Sequence, residues 1–295
     1  MRLALLTALT MIAFAANSVL NRWAVGQEWI GPASFSLVRL LSGAAMLGLL
    51  LGVRLLLRCE VIWPQGLPIV VGVGGLILYL VGFSLAYLSL DAGTGALVLF
   101  GSVQITMFAG ALLLREPVPL PRWLGAGLAM AGLYILAAPT LQIAHLGGAM
   151  LMMAVAGVGW GGYSLAGRRQ QDAQTATAVN FILAVPLMVL LFDELSFIDF
   201  MLQDEENISL AWGIALAVFS GAVTSGLGYA LWYQVLPQLG AARAAVAQLS
   251  VPAIAALGGA VLLAELPAPR FWLAAALVLG GVALASLPYK VLPRR

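Results

Sequence analysis

The chain has 295 residues, of which 62% are hydrophobic and only 9% charged, and its mean hydropathy is +1.03. Soluble domains carry about 25% charged residues, so lipid rather than water is the main solvent of this chain. A formal charge of +2 without any Lys/Arg run gives no reason to expect nucleic acid as a partner; a single cysteine (Cys59) and a single histidine (His145) leave no intramolecular disulfide, metal cluster or His-based catalytic pair.

A bilayer core takes about 20 apolar residues per helix. Breaks at Pro, Gly and charged residues divide the chain into ten such segments, roughly 3–25, 31–53, 66–89, 93–114, 120–138, 147–167, 175–195, 208–232, 239–263 and 269–288. The first is expected to remain in the mature protein: its apolar run is long, and Asn17, Asn21 and Arg22 stand where a leader peptidase needs small residues. Linkers are short. The longest, from about Leu195 to Ile208, holds Asp199, Asp204, Glu205 and Glu206 and reads as a solvated loop.

Basic residues set the orientation. With the N-terminus in the cytoplasm, Arg2, Arg54, Arg58, Arg115, Arg122, Arg168, Arg169, Arg243, Lys290, Arg294 and Arg295 all fall inside; of the 14 Lys and Arg only Arg22, Arg39 and Arg270 do not. Ten spans then place both termini in the cytoplasm and the acidic 193–206 loop outside.

One passage occurs twice. "LLLREPVPLPRWLGAGLAMAGLYIL" (112–136) and "LLAELPAPRFWLAAALVLGGVAL" (262–284) each end an apolar helix in a lone Glu, pass through a Pro-rich hinge and open the next helix on Trp-Leu. Glu116 and Glu265, Trp123 and Trp272, Leu124 and Leu273, and Gly132 and Gly281 are all 149 residues apart. Five helices separate the copies, an odd number, so the second half is expected upside down relative to the first. The expected fold is an all-α integral membrane protein of ten helices: residues 1–140 form one five-helix repeat, residues 141–295 an inverted second, around a central cavity. Inverted repeats of this kind place substrate sites at the midplane in secondary transporters.

The stretch "GYALWYQVLPQLGAARAAVAQLSVPAIAALGGAVLLAE" (228–265) combines an aromatic-rich helix, a small-residue "LGAARA" turn, a Pro in the next helix, a Gly-rich run and a terminal Glu. It resembles the drug/metabolite transporter superfamily in its EamA-type branch, and "YLVGFSLAYLSLDAGTGALVLFGSVQITMFAGALLLRE" (79–116) repeats it. Within that branch the chain is most similar to the bacterial YddG-type exporters. The resemblance implies export of aromatic and other neutral amino acids from a bacterial inner membrane, without cofactor or metal.

Polar groups inside the membrane are costly unless satisfied, and are therefore the candidate site. The first helix carries Asn17, Ser18 and Asn21, the third Tyr79, Ser84 and Tyr87, the fourth Ser102, Gln104 and Thr106. In the second half the sixth carries Trp160, Tyr163 and Ser164, the eighth Tyr229, Trp232 and Tyr233, and the ninth Gln248 and Ser250. Helices 1, 3 and 4 correspond to 6, 8 and 9, so these six are expected to line one cavity, with helices 5 and 10 outside it. Glu116 and Glu265 close helices at the membrane surface, which favours a structural role over coupling.

Arg39 is the one charge in mid-span. Two readings stand open: its guanidinium bonds backbone carbonyls in a protein-filled gap, or it meets a substrate carboxylate, which suits a fork of donors. A lining of Tyr, Trp, Asn, Gln and Ser without Asp or Glu suits a neutral zwitterion. Without a mid-membrane Asp, Glu or His there is no obvious proton relay, so facilitative transport by a monomer in the inner membrane is expected, and an enzyme is not. The alternative is a multidrug or other metabolite exporter of the same fold, proton-coupled in one version.

Overall fold

The computed structural model describes residues 2–113, 119–138, 144–168, 170–191, 208–248 and 250–285, and for side chains not 137, 144–145, 237 or 240–246. Within these, every regular element is a helix. The helices are α1 (Arg2–Gly26), α2 (Pro32–Leu56), α3 (Leu67–Ala86), α4 (Ala92–Leu113), α5 (Leu120–Ala137), α6 (Ala144–Gly167), α7 (Ala173–Leu191), α8 (Ile208–Phe219, Ser220–Leu227 and Gly228–Gln248), α9 (Ser250–Leu263) and α10 (Pro269–Ala285). Leu, Ala, Val and Met dominate them and Pro opens or precedes several, as at α2, α3 and α5, where a missing N–H costs nothing.

Seven helices are long and apolar enough to cross a bilayer; α9, α10 and the apolar part of α5 are shorter. Their outward faces are oily: Leu5, Ile12, Leu49, Leu113, Leu190, Val261 and Trp272 are all exposed. A water-soluble protein would not carry so many, whereas lipid solvates them. This is a multi-pass membrane protein.

The expected break between the eighth and ninth segments is not at 233–238. The helix continues to Gln248, and "LGAARA" is helical rather than a turn. Ala, Leu, Arg and Gln are strong helix formers, and only Gly240 opposes them. Glu116, Arg115, Arg169, the acidic 193–206 loop and the basic C-terminal residues Lys290, Arg294 and Arg295 lie outside the described residues.

The packing is set by α3 on α6, α5 on α10, α4 on α6 and α9, α1 on α8 and α9, and α2 on α7 and α8. In α8 the middle turns, Ser220–Leu227, are π-helical. Gly221 explains how they pack: an added Cβ there would run into the Arg39 carbonyl oxygen and the Ser42 hydroxyl. The π turns therefore lie directly on the backbone of α2.

Among the described residues, two ion pairs tie opposite ends of the bundle. Arg54 at the end of α2 makes a forked contact with Asp172 before α7, Nη1–Oδ1 at 3.2 Å and Nη2–Oδ2 at 2.9 Å. Asp172 also caps α7, accepting from the Thr175 N–H at 3.0 Å and its hydroxyl at 2.7 Å. At the other end, Arg22 Nε donates to Glu265 Oε1 at 2.6 Å. Glu265 Oε2 accepts from the Ala92 N–H at 2.8 Å, so one carboxylate joins α1, α4 and the end of α9. Arg22, anomalous by charge bias, is explained by this partner.

Candidate functional site: a central aromatic cavity

The site begins with α1, whose Phe14, Asn17 and Ser18 share one face at i, i+3, i+4. Tyr79 and Phe83 of α3, Leu99 and Phe100 of α4, Trp160 of α6 and Tyr229 of α8 complete a cavity with them. Its volume is about 20 Å³, room for one water. The rings form a continuous wall: Trp160 lies 5.0 Å from Tyr79 and 5.2 Å from Tyr229, and stacks on Tyr163 at 5.1 Å and 17°. Phe14 meets Tyr229 and Trp232 edge-on at 5.6 and 5.8 Å.

Asn17 is the polar centre. Its Oδ1 accepts from the hydroxyls of Ser220 at 2.8 Å, Thr224 at 2.6 Å and Ser225 at 3.3 Å. The wider spacing of a π turn puts residues at i, i+4 and i+5 on one face, which lets all three converge on one oxygen. Buried amide and hydroxyl groups must find partners in lipid, and here they find one another.

Arg39 lies directly behind this wall and is fully buried. Its Nε donates to Ser225 Oγ at 3.1 Å and its Nη2 to Tyr79 Oη at 2.9 Å. The guanidinium carbon stands 5.2 Å from the Tyr79 ring centre and 5.1 Å from that of Phe83, within cation–π range. Nη1 has no hydrogen-bond partner among the described residues. Among the described residues its side-chain bonds go to a serine hydroxyl and a phenol, not to the backbone carbonyls that one sequence reading expected.

The remaining candidates fall into three groups. Asn21 donates to Ser84 at 2.7 Å, and Ser36 donates to the same hydroxyl at 2.8 Å, which makes a separate knot between α1, α2 and α3. Tyr87 donates to the Ala92 carbonyl at 3.3 Å, and Tyr163 to Thr177 at 2.8 Å; both support the wall from outside. Trp232 is buried beside Phe14, and Tyr233 packs partly buried against the same core. Ser102 packs against Gly157, Ser164 bonds the Trp160 carbonyl and Ser250 that of Ala247, so these three serve helix contacts and their own turns.

Gln104 and Gln248 border a second, smaller cavity of about 10 Å³ with Phe100, Val278, Leu279 and Val282. α10 supplies three of those walls, while the central cavity has no residue of α5 or α10 in its described lining. Nor does α9 contribute to the central cavity. Its Pro252, Val251 and Ala255 are buried in packing with α1 and α4 instead. Reading polarity alone missed Phe14, Phe83, Leu99 and Phe100, which carry no polar signal. It also missed Ser220, Thr224 and Ser225, although a hydroxyl-rich "SGAVTSG" in an apolar span was visible.

A membrane bundle that is oily outside and encloses aromatic and hydrogen-bonding groups at its centre is the architecture of a small-molecule transporter. This chain belongs to the EamA-like transporter family. That family's model matches residues 147–287. An uncharacterised protein of Pseudomonas aeruginosa is 44% identical over 287 residues, covering 97% of this chain and 95% of that one. Similar too are an uncharacterised transporter of Archaeoglobus fulgidus, 27% identical over 81% of this chain and 84% of its own, and the uncharacterised transporter YwfM of Bacillus subtilis, 26% identical over 65% and 64%. A solved crystal structure shares the fold with a TM-score of 0.60 at 24% identity, covering 94% of this chain and 96% of that one.

Proposed function

We propose that the chain is a facilitative exporter of neutral amino acids, aromatic ones foremost, in the bacterial inner membrane, working as a monomer. The observation that carries this reading is the central cavity: Phe14, Tyr79, Phe83, Trp160 and Tyr229 offer ring faces, and Asn17 and Ser18 offer neutral hydrogen bonds. None of the 12 acidic residues lies within a described helix, so a cationic drug would meet no counter-charge there. A cavity of one water's size is a closed conformer. An amino acid enters when the helices around it separate, which is alternating access.

Ten spans arranged as inverted repeats, 1–140 and 141–295, with both termini cytoplasmic, supply that motion. Reciprocal packing supports the repeat: Gly125 of α5 approaches the Gly281 backbone of α10, and Gly132 approaches that of Ala274. A shift of 149 residues turns the first contact into the second. Facilitation rather than proton coupling is supported by the described lining of the cavity, which holds no carboxylate or histidine.

Purified protein in liposomes tests this reading. Counterflow should carry labelled phenylalanine, with threonine competing more weakly, and a pH gradient should produce no accumulation. Transport of organic cations without amino acids would replace this reading with a drug exporter; proton-driven accumulation would contradict facilitation.

A further inference from the structure

We infer that Arg39 makes the central cavity selective for a carboxylate, and so determines which compounds the protein carries. The inference rests on the reading of that cavity as the substrate site. A cation in mid-membrane costs at least about 2.5–3.5 kcal/mol unless it is paired or hydrated, and such a group is retained for a purpose or for packing. An uncharged side chain of similar volume would fill the same space without that cost.

The charge of Arg39 is solvated but not neutralised. Its partners are one serine hydroxyl, one phenol and two ring faces, and one of its amino groups has no hydrogen-bond partner among the described residues. The two ion pairs among the described residues use Arg22 and Arg54. Two of the groups around Arg39, Tyr79 and Phe83, line the cavity, and a third, Ser225, bonds Asn17, which lines it too. An unneutralised cation one side chain behind the wall gives the cavity a positive potential that low dielectric preserves. Tyr79 transmits it. A phenol is one acceptor and one donor; its oxygen accepts from Nη2, and its hydroxyl, beside that of Tyr229, can turn its proton to a ligand oxygen. A carboxylate beside Tyr79 supplies the missing counter-charge, and an ammonium alone is repelled.

The test uses three ligands with the same phenyl group: phenylalanine, 3-phenylpropionate and 2-phenylethylamine, competing for counterflow in proteoliposomes. Wild-type protein should favour the two carboxylates over the amine by about tenfold or more in apparent affinity. The propionate competing as well as phenylalanine would mean that a plain carboxylate suffices; phenylalanine ahead of the propionate, with both ahead of the amine, would mean that the ammonium is read too, and both outcomes support the role of Arg39. A propionate no better than the amine overturns it. Arg39→Met and Arg39→Gln should bring the preference to within about threefold, with KM moving more than kcat. The ratio does not depend on how much protein folds, and the glutamine variant, which keeps hydrogen bonds to Ser225 and Tyr79 within reach, serves where the methionine variant does not insert. An unchanged ratio in either variant, or a wild-type protein that carries all three alike, overturns the inference alone. A wild-type protein that carries none of them overturns the substrate reading itself.

Discussion

Gly125 and Gly281 meet backbone to backbone: a Cβ on Gly281 would stand 2.5 Å from the Gly125 carbonyl oxygen, and one on Gly125 would strike the Gly281 carbonyl oxygen. Gly132 meets the Ala274 carbonyl in the same way, its added Cβ falling 2.8 Å away. Small residues at such contacts let helices approach closely in lipid, where van der Waals packing does what hydrophobicity does in water. A backbone oxygen cannot rotate out of the way. Gly125→Leu should therefore destabilise the protein by roughly 1–3 kcal/mol or more, and Gly132→Leu likewise. Gly127→Leu, on the same helix but with nothing near its Cβ, should be close to neutral. Thermal unfolding of the three variants in detergent would check this, and equal effects at all three would contradict the close α5–α10 contact.

Glu265 should matter for assembly. Its carboxylate is 13% exposed and bonds both Arg22 and the Ala92 N–H. Glu265→Ala leaves the Ala92 N–H without its acceptor and the Arg22 guanidinium without its counter-charge, with only the Tyr87 and Leu88 carbonyls still accepting from Nη1, and is expected to cost about 2–3 kcal/mol. Glu265→Gln keeps an acceptor for Ala92 and should cost less. A loss of stability identical in the two variants would show that the charge, not the cap, carries the effect.

Ala264, just before Glu265, has φ 56°, in the left-handed region that favours glycine. That turn lets the chain end α9 and brings the Glu265 N–H to the Gly259 carbonyl at 3.1 Å. Ala264→Gly should raise stability by up to about 1 kcal/mol, measured as a higher unfolding temperature. A lower one would contradict the strain.

Much of this was legible in the chain, for identifiable reasons. Composition alone shows a lipid-facing bundle, since 9% charge leaves few other solvents, and the Glu–Pro–Trp-Leu repeat points to a two-part architecture. Eight of the helices stand within a few residues of their expected places because Pro, Gly and charge punctuate them, and the ninth starts about ten residues late, at Ser250, because the eighth runs on. The eighth runs past its expected end because helix propensity outweighed the small-residue motif. Polarity located Asn17, Tyr79, Trp160 and Tyr229 in the cavity wall, but it could not separate them from Asn21, Ser84 or Ser164, which satisfy each other or their own helix. Partner choice is a tertiary fact. The π turns of α8 were hidden for the same reason, since they depend on what α2 allows.

The Arg54–Asp172 pair should make stability depend on acid. Burial, the largest influence on Asp172, raises its pKa, but bonds from Arg54 and Thr175 outweigh it and hold the carboxyl below its ordinary value. A group with a lowered folded pKa stabilises above its unfolded pKa, and that contribution is lost as pH falls through the folded value. Wild-type protein should thus exceed Asp172→Asn in stability by about 1 kcal/mol at neutral pH, with the gap closing below pH about 4. A gap that is constant with pH would mean that the carboxylate's charge has no part in it.

The most direct test of the central claim compares phenylalanine with threonine in variants of the cavity wall. Aromatic contacts add roughly 0.5–1.5 kcal/mol per pair beyond area burial, and Tyr79, Trp160 and Tyr229 present ring faces to the cavity. Replacing Trp160 or Tyr229 by Ala should lower phenylalanine transport relative to threonine by about 3- to 10-fold, while Asn17→Ala should lower both alike. That ratio, measured by counterflow in proteoliposomes with equal amounts of inserted protein, is the decisive quantity. A shift towards threonine in the aromatic variants only is the predicted result; phenylalanine and threonine falling together in every variant would contradict the assignment of this cavity to an aromatic amino acid.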